Sequence, residues 1–221
     1  MNEQLKITGG ISDEKGITFY IKGISYGIRA YIGKYGEIRT NKDDEKVKKS
    51  IVLVMLILFI TRALLYLFKI TNWLYHIPTI VFVLWTIISL GFMVVQKETR
   101  KYHGAEHKVA NCWRKYKKLD TNLVRTCSRI HKSCGTNIMI EIAIFQIISS
   151  VCMIFFDFHV PEIITAVVPV LLYNRFPFNI LGCLVQDITT TEPDEKHLLV
   201  GICALEEMLK AAEKEIKTGD E

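Results

Sequence analysis

The sequence predicts an all-α polytopic membrane protein with about four transmembrane helices, a small N-terminal β hairpin and a C-terminal amphipathic helix. Half of its 221 residues are hydrophobic, and the mean hydropathy is positive. Long apolar runs alternate with strongly charged blocks, which is typical of multi-spanning membrane proteins. The first residues are polar and contain no apolar stretch of the kind found in signal peptides. The prediction of the fold class is therefore based on the long apolar runs.

The N-terminal region, residues 1–50, is predicted to hold the β hairpin and a linker. Residues 27–32 alternate between apolar and polar side chains, residues 33–36 supply a glycine-containing turn, and residues 37–40 resume the strand pattern. Two such runs joined by a short turn indicate a hairpin. The charged stretch from Asn41 to Ser50 then leads to the first apolar run.

Four apolar runs predict two transmembrane hairpins, over residues 51–95 and 138–185, with a cytoplasmic loop at 96–137 between them. Each complete span needs about 20 apolar residues. The fourth run is short or broken, because polar residues and a proline interrupt it. The predicted spans are Ile51 to Ile70, Ile77 to Val95, Ile138 to Phe156, and a last one beginning at Val160 and ending by Val185.

The distribution of Lys and Arg predicts the orientation of these spans. Ten lie before Ile51, one lies at the connection of the first two spans if Lys69 at the end of the first is counted, eleven lie between the second and third, and none lies between the third and fourth. Since cytoplasmic loops are enriched in Lys and Arg, both termini and the central loop are predicted to be cytoplasmic. We therefore expect a multi-pass protein of the cell membrane. The C-terminal segment 186–221 contains an amphipathic pattern over 193–216.

The same counts bear on the expected partners. Because the basic residues flank apolar runs, we interpret them as determinants of topology that attract anionic lipid head groups. Membrane lipids are therefore the expected partners and nucleic acid is not, although the net charge is +5. The oligomeric state is not indicated by the sequence.

The central loop carries a His-x-x-Glu-His motif at His103, Glu106 and His107. The two histidines are four residues apart, so on a helix they share a face and can bind one metal ion. In hydrolases with this spacing the histidines bind zinc and the glutamate activates water. The motif therefore makes His103 and His107 candidate ligands of a divalent metal, with zinc favoured, and Glu106 the candidate catalytic residue. Alternatively, the three form a hydrogen-bonded polar cluster, or Glu106 pairs with Lys108 or Arg114.

A catalytic zinc site usually has three protein ligands, so two histidines leave it incomplete. Three residues can supply the third ligand: His131, Cys134 and Glu141. Glu141 is an acid just inside the third predicted span, where a carboxylate usually has a partner or a function. A site that used both histidines together with His131 and Cys134 would be closed, and therefore structural rather than catalytic.

Three sequence blocks resemble the DUF1385 family of YqhQ-like bacterial membrane proteins, which are described as predicted metal-dependent enzymes of unknown function. The first block runs from Tyr102 to Lys108, the second from Ser128 to Thr136 and the third from Gln186 to Asp194. The resemblance implies that His103, His107, His131 and Cys134 belong to one site. It adds Glu192 and Asp194 of the third block as further site candidates. The N-terminal part departs from the family pattern, because residues 15–22 lack the acid and arginine found there.

Two functions follow from these observations. The leading hypothesis is a metal-dependent hydrolase on the cytoplasmic face of the membrane, acting on a lipid or peptide substrate. The alternative is a non-enzymatic scaffold or small transporter, in which the same residues form a structural metal site or a polar helix junction.

Overall fold

The computed structural model describes residues 5–44, 57, 60, 61, 64, 65, 73–132, 134–156, 164, 168 and 178–219. The chain divides into two compact units, each assembled from separate segments. The first unit takes residues 1–45, 93–131 and 186–221, and the second takes residues 46–92 and 132–185.

A four-stranded antiparallel sheet forms the N-terminal part of the first unit. The strands follow chain order, so that each pairs with its sequence neighbour. Ile17 lies opposite Ala30 in the second and third strands, and Ile32 lies opposite Ile38 in the third and fourth. Gly36 adopts a φ of 85° in the last turn, a conformation that glycine tolerates without strain. The strands are β1 (Ile7–Ser12), β2 (Gly16–Ile21), β3 (Tyr26–Ile32) and β4 (Ile38–Asp44).

Six α-helices lie in the described part of the chain, and a short 3₁₀ turn at Trp73–His76 precedes the first. They are α1 (Ile77–Val95), α2 (Lys97–Tyr116), α3 (Thr121–Thr126), α4 (Gly135–Phe156), α5 (Phe178–Thr189) and α6 (Glu195–Gly219).

The core of the first unit lies between the sheet and helices α2 and α6. Helix α6 packs on β2 and β3, while α2 packs on α6 and β1. A Cβ atom added at Gly201 of α6 would lie 3.1 Å from Val109 of α2 and 3.2 Å from Ile17 of β2, so the three elements meet there. Leu205 and Met208 are fully buried in this core. Burial of each such side chain stabilises the fold by roughly 1.5–3 kcal/mol.

The second unit contains the apolar helices. Ile77–Val95 and Gly135–Cys152 are long and apolar enough to cross a membrane, judged by length and composition. Large apolar side chains are exposed on both helices: Ile88 of α1 is 68% exposed and Phe155 of α4 is 74% exposed. Polar side chains lie inside instead, and the Thr79 hydroxyl donates to Gln146 Oε1 at 3.4 Å.

The predicted all-α class with four transmembrane helices is wrong. The described residues contain a four-stranded sheet, of which the predicted hairpin is only part, and two helices that could span a membrane. Of the first two strands, β2 is indicated by its β-branched and aromatic residues 17–21, whereas β1, with two glycines at its centre, gives no strand signal. Helix α5 has 12 residues, against the roughly 20 that a span requires. The predicted spans at 51–70 and from Val160 to Tyr173 lie largely outside the described residues.

The apolar helix of the second predicted span does not continue into the His-x-x-Glu-His motif. Helix α1 ends at Val95, and Gln96 adopts an extended conformation with φ −84° and ψ 97°. Helix α2 starts afresh at Lys97, and Arg100 N–H donates to the Gln96 carbonyl oxygen at 3.1 Å. The motif therefore belongs to a helix of its own, separated from the apolar helix by one extended residue.

Candidate functional site

His103 and His107 lie on the buried face of helix α2. The two side chains are 4% and 1% exposed, and their ring centroids lie 4.3 Å apart. The spacing of four residues brings them onto one face of the helix. Each ring offers a nitrogen atom within 4.8 Å of the other, so the pair could hold a metal ion.

Backbone carbonyl groups fix the orientation of both rings. His107 Nδ1 lies 2.7 Å from the Arg129 carbonyl oxygen, and His103 Nδ1 lies 3.2 Å from that of Thr189. Since a carbonyl oxygen only accepts, each Nδ1 carries a proton, and in the neutral ring Nε2 is then the nitrogen with a free lone pair. Metal-binding histidines usually donate their other ring N–H to an oxygen acceptor in this way, which fixes the orientation of the ring. In the described structure, His107 Nε2 is buried without a hydrogen-bond partner.

His131 joins this pair from the loop that follows α3. Its ring centroid lies 5.5 Å from that of His107, and its Nε2 is also buried without a partner among the described residues. The side chain of Gln186 holds the loop in place. Its Oε1 accepts from His131 N–H at 2.7 Å, and its Nε2 donates to the His131 carbonyl oxygen at 3.0 Å. Three imidazoles are therefore gathered in the first unit.

Two of these imidazoles are held neutral. Burial, reinforced by the neighbouring histidines, lowers the pKa of His107 well below its ordinary value. Burial also lowers the pKa of His131 to about 4, with smaller contributions from the charges of Arg114 and His103. The neutral imidazole is the form that binds a metal ion. His107 and His131 thus have the protonation expected of metal ligands, and together with His103 they form what we call the histidine cluster.

Glu106 is buried against the first strand. A Cβ atom at Gly10 of β1 would overlap its carboxyl group, so glycine is required for this contact. Burial raises the pKa of Glu106, while the charge of His103 and a hydrogen bond with Ser12 oppose the shift. The carboxyl group therefore lies beside His103 but faces the sheet.

The third family-like block lies along helix α2. Gly104 lets the backbone of the third block approach α2 closely, because a Cβ atom at this position would overlap the Thr191 carbonyl oxygen. Thr191 N–H donates to the Arg100 carbonyl oxygen at 3.1 Å. Glu192 pairs with Lys108 at 2.7 Å, and Asp194 pairs with Lys101. The two predicted site acids thus attach this segment to α2 through ion pairs.

Two predicted ligands belong to the second unit. Cys134 and Glu141 are 7% and 2% exposed there, and Cys134 immediately precedes helix α4. Their participation in a metal site stays a prediction.

The sequence interpretation missed three residues that build the site. Asn111 lies four residues after His107, and its amide donates to the carbonyl oxygens of Ser128 and Ile130 at 2.9 and 2.8 Å. Gln186 holds His131, as described above. Arg129 donates to Asp187 Oδ1 at 2.9 Å and to the Thr190 hydroxyl at 2.7 Å. The spacing of Asn111 on the face of His107 was the available signal; contacts between distant segments leave none.

The family model described as "Protein of unknown function (DUF1385)" matches residues 16–176 of this chain. A curated relative, "Uncharacterized protein YqhQ" of Bacillus subtilis (strain 168), is 27% identical over 145 residues. That match covers 56% of this chain and 44% of the relative, so the chain spans less than half of the relative's length. No solved structure matches.

Proposed function

This chain belongs to the DUF1385 family, and from the geometry of its histidines we propose that it binds a divalent metal ion, with zinc favoured. The ligands are His103, His107 and His131. One observation carries the proposal: the buried Nε2 atoms of His107 and His131 have no partner among the described residues, although buried polar atoms are nearly always hydrogen-bonded. A metal ion satisfies such atoms.

The reaction that fits this ligand set is hydrolysis. Three protein ligands leave one position open, and a divalent ion supplies Lewis-acid chemistry that generates a nucleophile near neutral pH. Glu106 is the candidate acid–base group, because its carboxyl group lies beside His103 in a dry environment. Cys134 and Glu141 are candidate further ligands; Cys134 follows His131 by three residues in the sequence.

We further propose that the substrate is membrane-associated, a lipid or a peptide. The two apolar helices support attachment to the membrane. The concentration of Lys and Arg between them supports a multi-pass topology with the site and both termini in the cytoplasm.

The alternative is a structural metal site within a scaffold or small transporter, and one observation favours it. Glu106 is packed against β1 rather than directed into open space, so its carboxyl group would have to move to activate water. In that case the metal stabilises the first unit and no reaction follows.

Metal analysis of the purified full-length protein tests the proposal. We expect about one ion per chain in the wild type and a near-complete loss in His103→Ala, His107→Ala and His131→Ala. His76→Ala is the matched control, because it removes a histidine of the second unit and should leave the metal content unchanged. A wild-type protein without bound metal would overturn the proposal.

The Glu106→Gln variant distinguishes a catalytic metal site from a structural one. If the site is catalytic, Glu106→Gln keeps the metal and abolishes cellular function. If it is structural, Glu106→Gln retains function, whereas loss of a ligand histidine lowers the melting temperature of the protein.

A further inference from the structure

Two thiol groups meet where helix α2 passes the end of helix α3. Cys112 lies on α2, and Cys127 is the residue at which α3 ends. The two side chains are hydrogen-bonded to each other. Cys112 Sγ also lies 3.3 Å from the Lys118 carbonyl oxygen, and Cys127 Sγ lies 3.5 Å from that of Leu123. Both sulfur atoms are therefore held by the backbone as well as by each other.

This contact brings the two cysteines close enough to be joined. Two sulfur atoms in hydrogen-bonding contact have to approach by only about 2 Å to reach the S–S bond length of about 2.05 Å. Cys127 follows Cys112 by fifteen residues, so a bond between them would close a loop within the first unit. Both cysteines are reduced in the described structure.

The two thiols differ in accessibility. Cys112 is 0% exposed, whereas Cys127 is partly exposed. Burial, together with the neighbouring Cys127 thiol, raises the pKa of Cys112 to about 12. Because the thiolate is the reactive form of cysteine, Cys112 alone is protected from reagents in solution. A reagent therefore meets Cys127 first, and Cys112 lies in contact to complete the reaction.

The cysteine pair belongs to a series of contacts that fasten the loop of residues 127–131 to α2. Asn111, the neighbour of the buried cysteine, donates to two carbonyl oxygens of this loop at 2.9 and 2.8 Å. His107 donates to a third at 2.7 Å. The loop ends at His131 of the histidine cluster. A covalent bond between the two cysteines would therefore fix the start of this loop on the helix.

We propose that Cys112 and Cys127 form a redox pair, which a low-molecular-weight disulfide converts into an intramolecular disulfide bond that ties the loop of residues 127–131 to α2. This assignment does not depend on the proposed metal binding. In reducing compartments, disulfides of this kind are usually transient and serve redox sensing. The competing explanation is that both thiols only fill space in the core, as free cysteines commonly do, and stay reduced.

The reaction consists of two thiol–disulfide exchanges. Cys127 loses its proton to water, and its thiolate attacks one sulfur of the reagent. A mixed disulfide forms, and one thiolate of the reagent leaves and takes up a proton. The Cys112 sulfur then attacks the Cys127 sulfur and loses its proton to water, and the second thiolate leaves and is protonated. The protein gives up two electrons and two protons, and the reagent is reduced to two thiols.

Oxidation of the full-length protein by oxidised glutathione tests the pair. The detergent-solubilised wild type is incubated with the reagent, the remaining thiols are alkylated, and unreduced peptides are mapped by mass spectrometry. We expect the peptides of Cys112 and Cys127 to be linked, and the linked form to exceed the glutathione adduct of Cys127 by about tenfold, because the second thiol is already in contact. A wild type in which Cys112 stays free would overturn the assignment, whether or not Cys127 carries glutathione.

Three variants test the order of the reaction. Cys112→Ser should accumulate the glutathione adduct on Cys127, whereas Cys127→Ser should leave Cys112 unmodified. Cys203→Ser is the matched control, because it removes a partly buried thiol of the same unit and should form the linked peptide as the wild type does. Direct modification of Cys112 in Cys127→Ser would contradict the order. The wild-type peptide map identifies the bond by itself, so the result does not depend on how the variants fold.

Amide hydrogen exchange tests whether the bond ties the loop to the helix. Exchange of residues 127–131 should slow by about tenfold in the oxidised wild type and in oxidised Cys203→Ser, since the bond suppresses local opening. In Cys127→Ser the same treatment should leave the exchange unchanged. The measurement uses chelated protein, so that its outcome is independent of metal binding. Equal exchange before and after formation of the disulfide would overturn the proposed role of the bond in holding the loop.

Discussion

The two units of this protein place their polar and apolar side chains in opposite ways. In the first unit, Ile17, Phe19 and Leu205 are fully buried. In the second, Ile88 and Phe155 are mostly exposed, while Glu141 and Gln146 are 2% and 4% exposed. The first distribution is that of a water-soluble domain, whose apolar surface is removed from water.

The opposite arrangement in the second unit suits a surrounding medium that is itself apolar. In such a medium an exposed isoleucine has no cost, whereas an exposed amide or carboxyl group does, so polar groups turn inwards. The same chain thus contains one unit with a buried apolar core and one unit whose exposed side chains suit an apolar medium. The following predictions test whether equivalent substitutions in the two units also differ in their effect on stability.

The largest expected effect comes from equal truncations in the two units. Leu205→Ala should destabilise the first unit by about 2–5 kcal/mol, because it leaves a cavity in a closely packed core. Leu84→Ala, at a position that is 52% exposed on α1, should change stability by less than about 0.5 kcal/mol. Thermal unfolding of the detergent-solubilised chain, followed by circular dichroism, measures both. Similar losses for the two variants would contradict the comparison.

A smaller effect is expected from two helical glycines. Gly104→Ala should cost about 1–3 kcal/mol, since the new Cβ atom must displace the Thr191 carbonyl group. Gly91→Ala on α1 is the matched control, because its added Cβ meets no other segment within 4 Å among the described residues. Alanine favours the helix over glycine by up to about 1 kcal/mol, so this variant should be neutral or more stable. The comparison fails if Gly104→Ala is tolerated as well as Gly91→Ala.

The smallest effect concerns the pH dependence of the first unit. His197 is buried, and burial lowers its pKa from 6.5 despite hydrogen bonding to Glu98. Asp194, Lys196 and Tyr102 also face it. Because the unfolded chain binds the proton more readily, His197 contributes stability above pH 6.5 that is progressively lost as pH falls towards its folded pKa.

We therefore expect the wild type to melt at a lower temperature at pH 5.5 than at pH 7.5. In His197→Gln, which cannot be protonated, the difference should be smaller. The measurement uses chelated protein, so that proton competition at a metal site does not contribute. An unchanged difference in the variant would show that other groups govern the acid sensitivity.

The fold could be predicted only where local pattern and tertiary environment agree. Residues 77–95 are predominantly apolar, and the helix over these residues follows from the sequence. The β-branched and aromatic residues of strand β2 indicate a strand, but all six residues are buried and give no alternation, so the sequence does not indicate its partners. Gly9 and Gly10 read as loop residues, whereas Gly10 is required for the approach of Glu106.

The candidate site, too, could be predicted from the sequence only in part. The spacing of His103 and His107 is a helical property, so the sequence alone brings the two together. Gln186 holds His131 across 55 residues of sequence, and such a contact leaves no local signal. For Glu192 and Asp194, the resemblance indicated membership of a site, but it could not indicate their ion pairs with Lys108 and Lys101.

The carbonyl group of Thr189 that orients His103 has a consequence for biosynthesis. The ring of His103 emerges from the ribosome 86 residues before its hydrogen-bond acceptor, and Gln186 emerges 55 residues after the His131 it holds. A nascent chain can therefore form helix α2 and orient His107 early, but it cannot fix His103 and His131 until residues 186–189 have been synthesised. A product terminated before residue 186 would therefore lack an ordered histidine cluster.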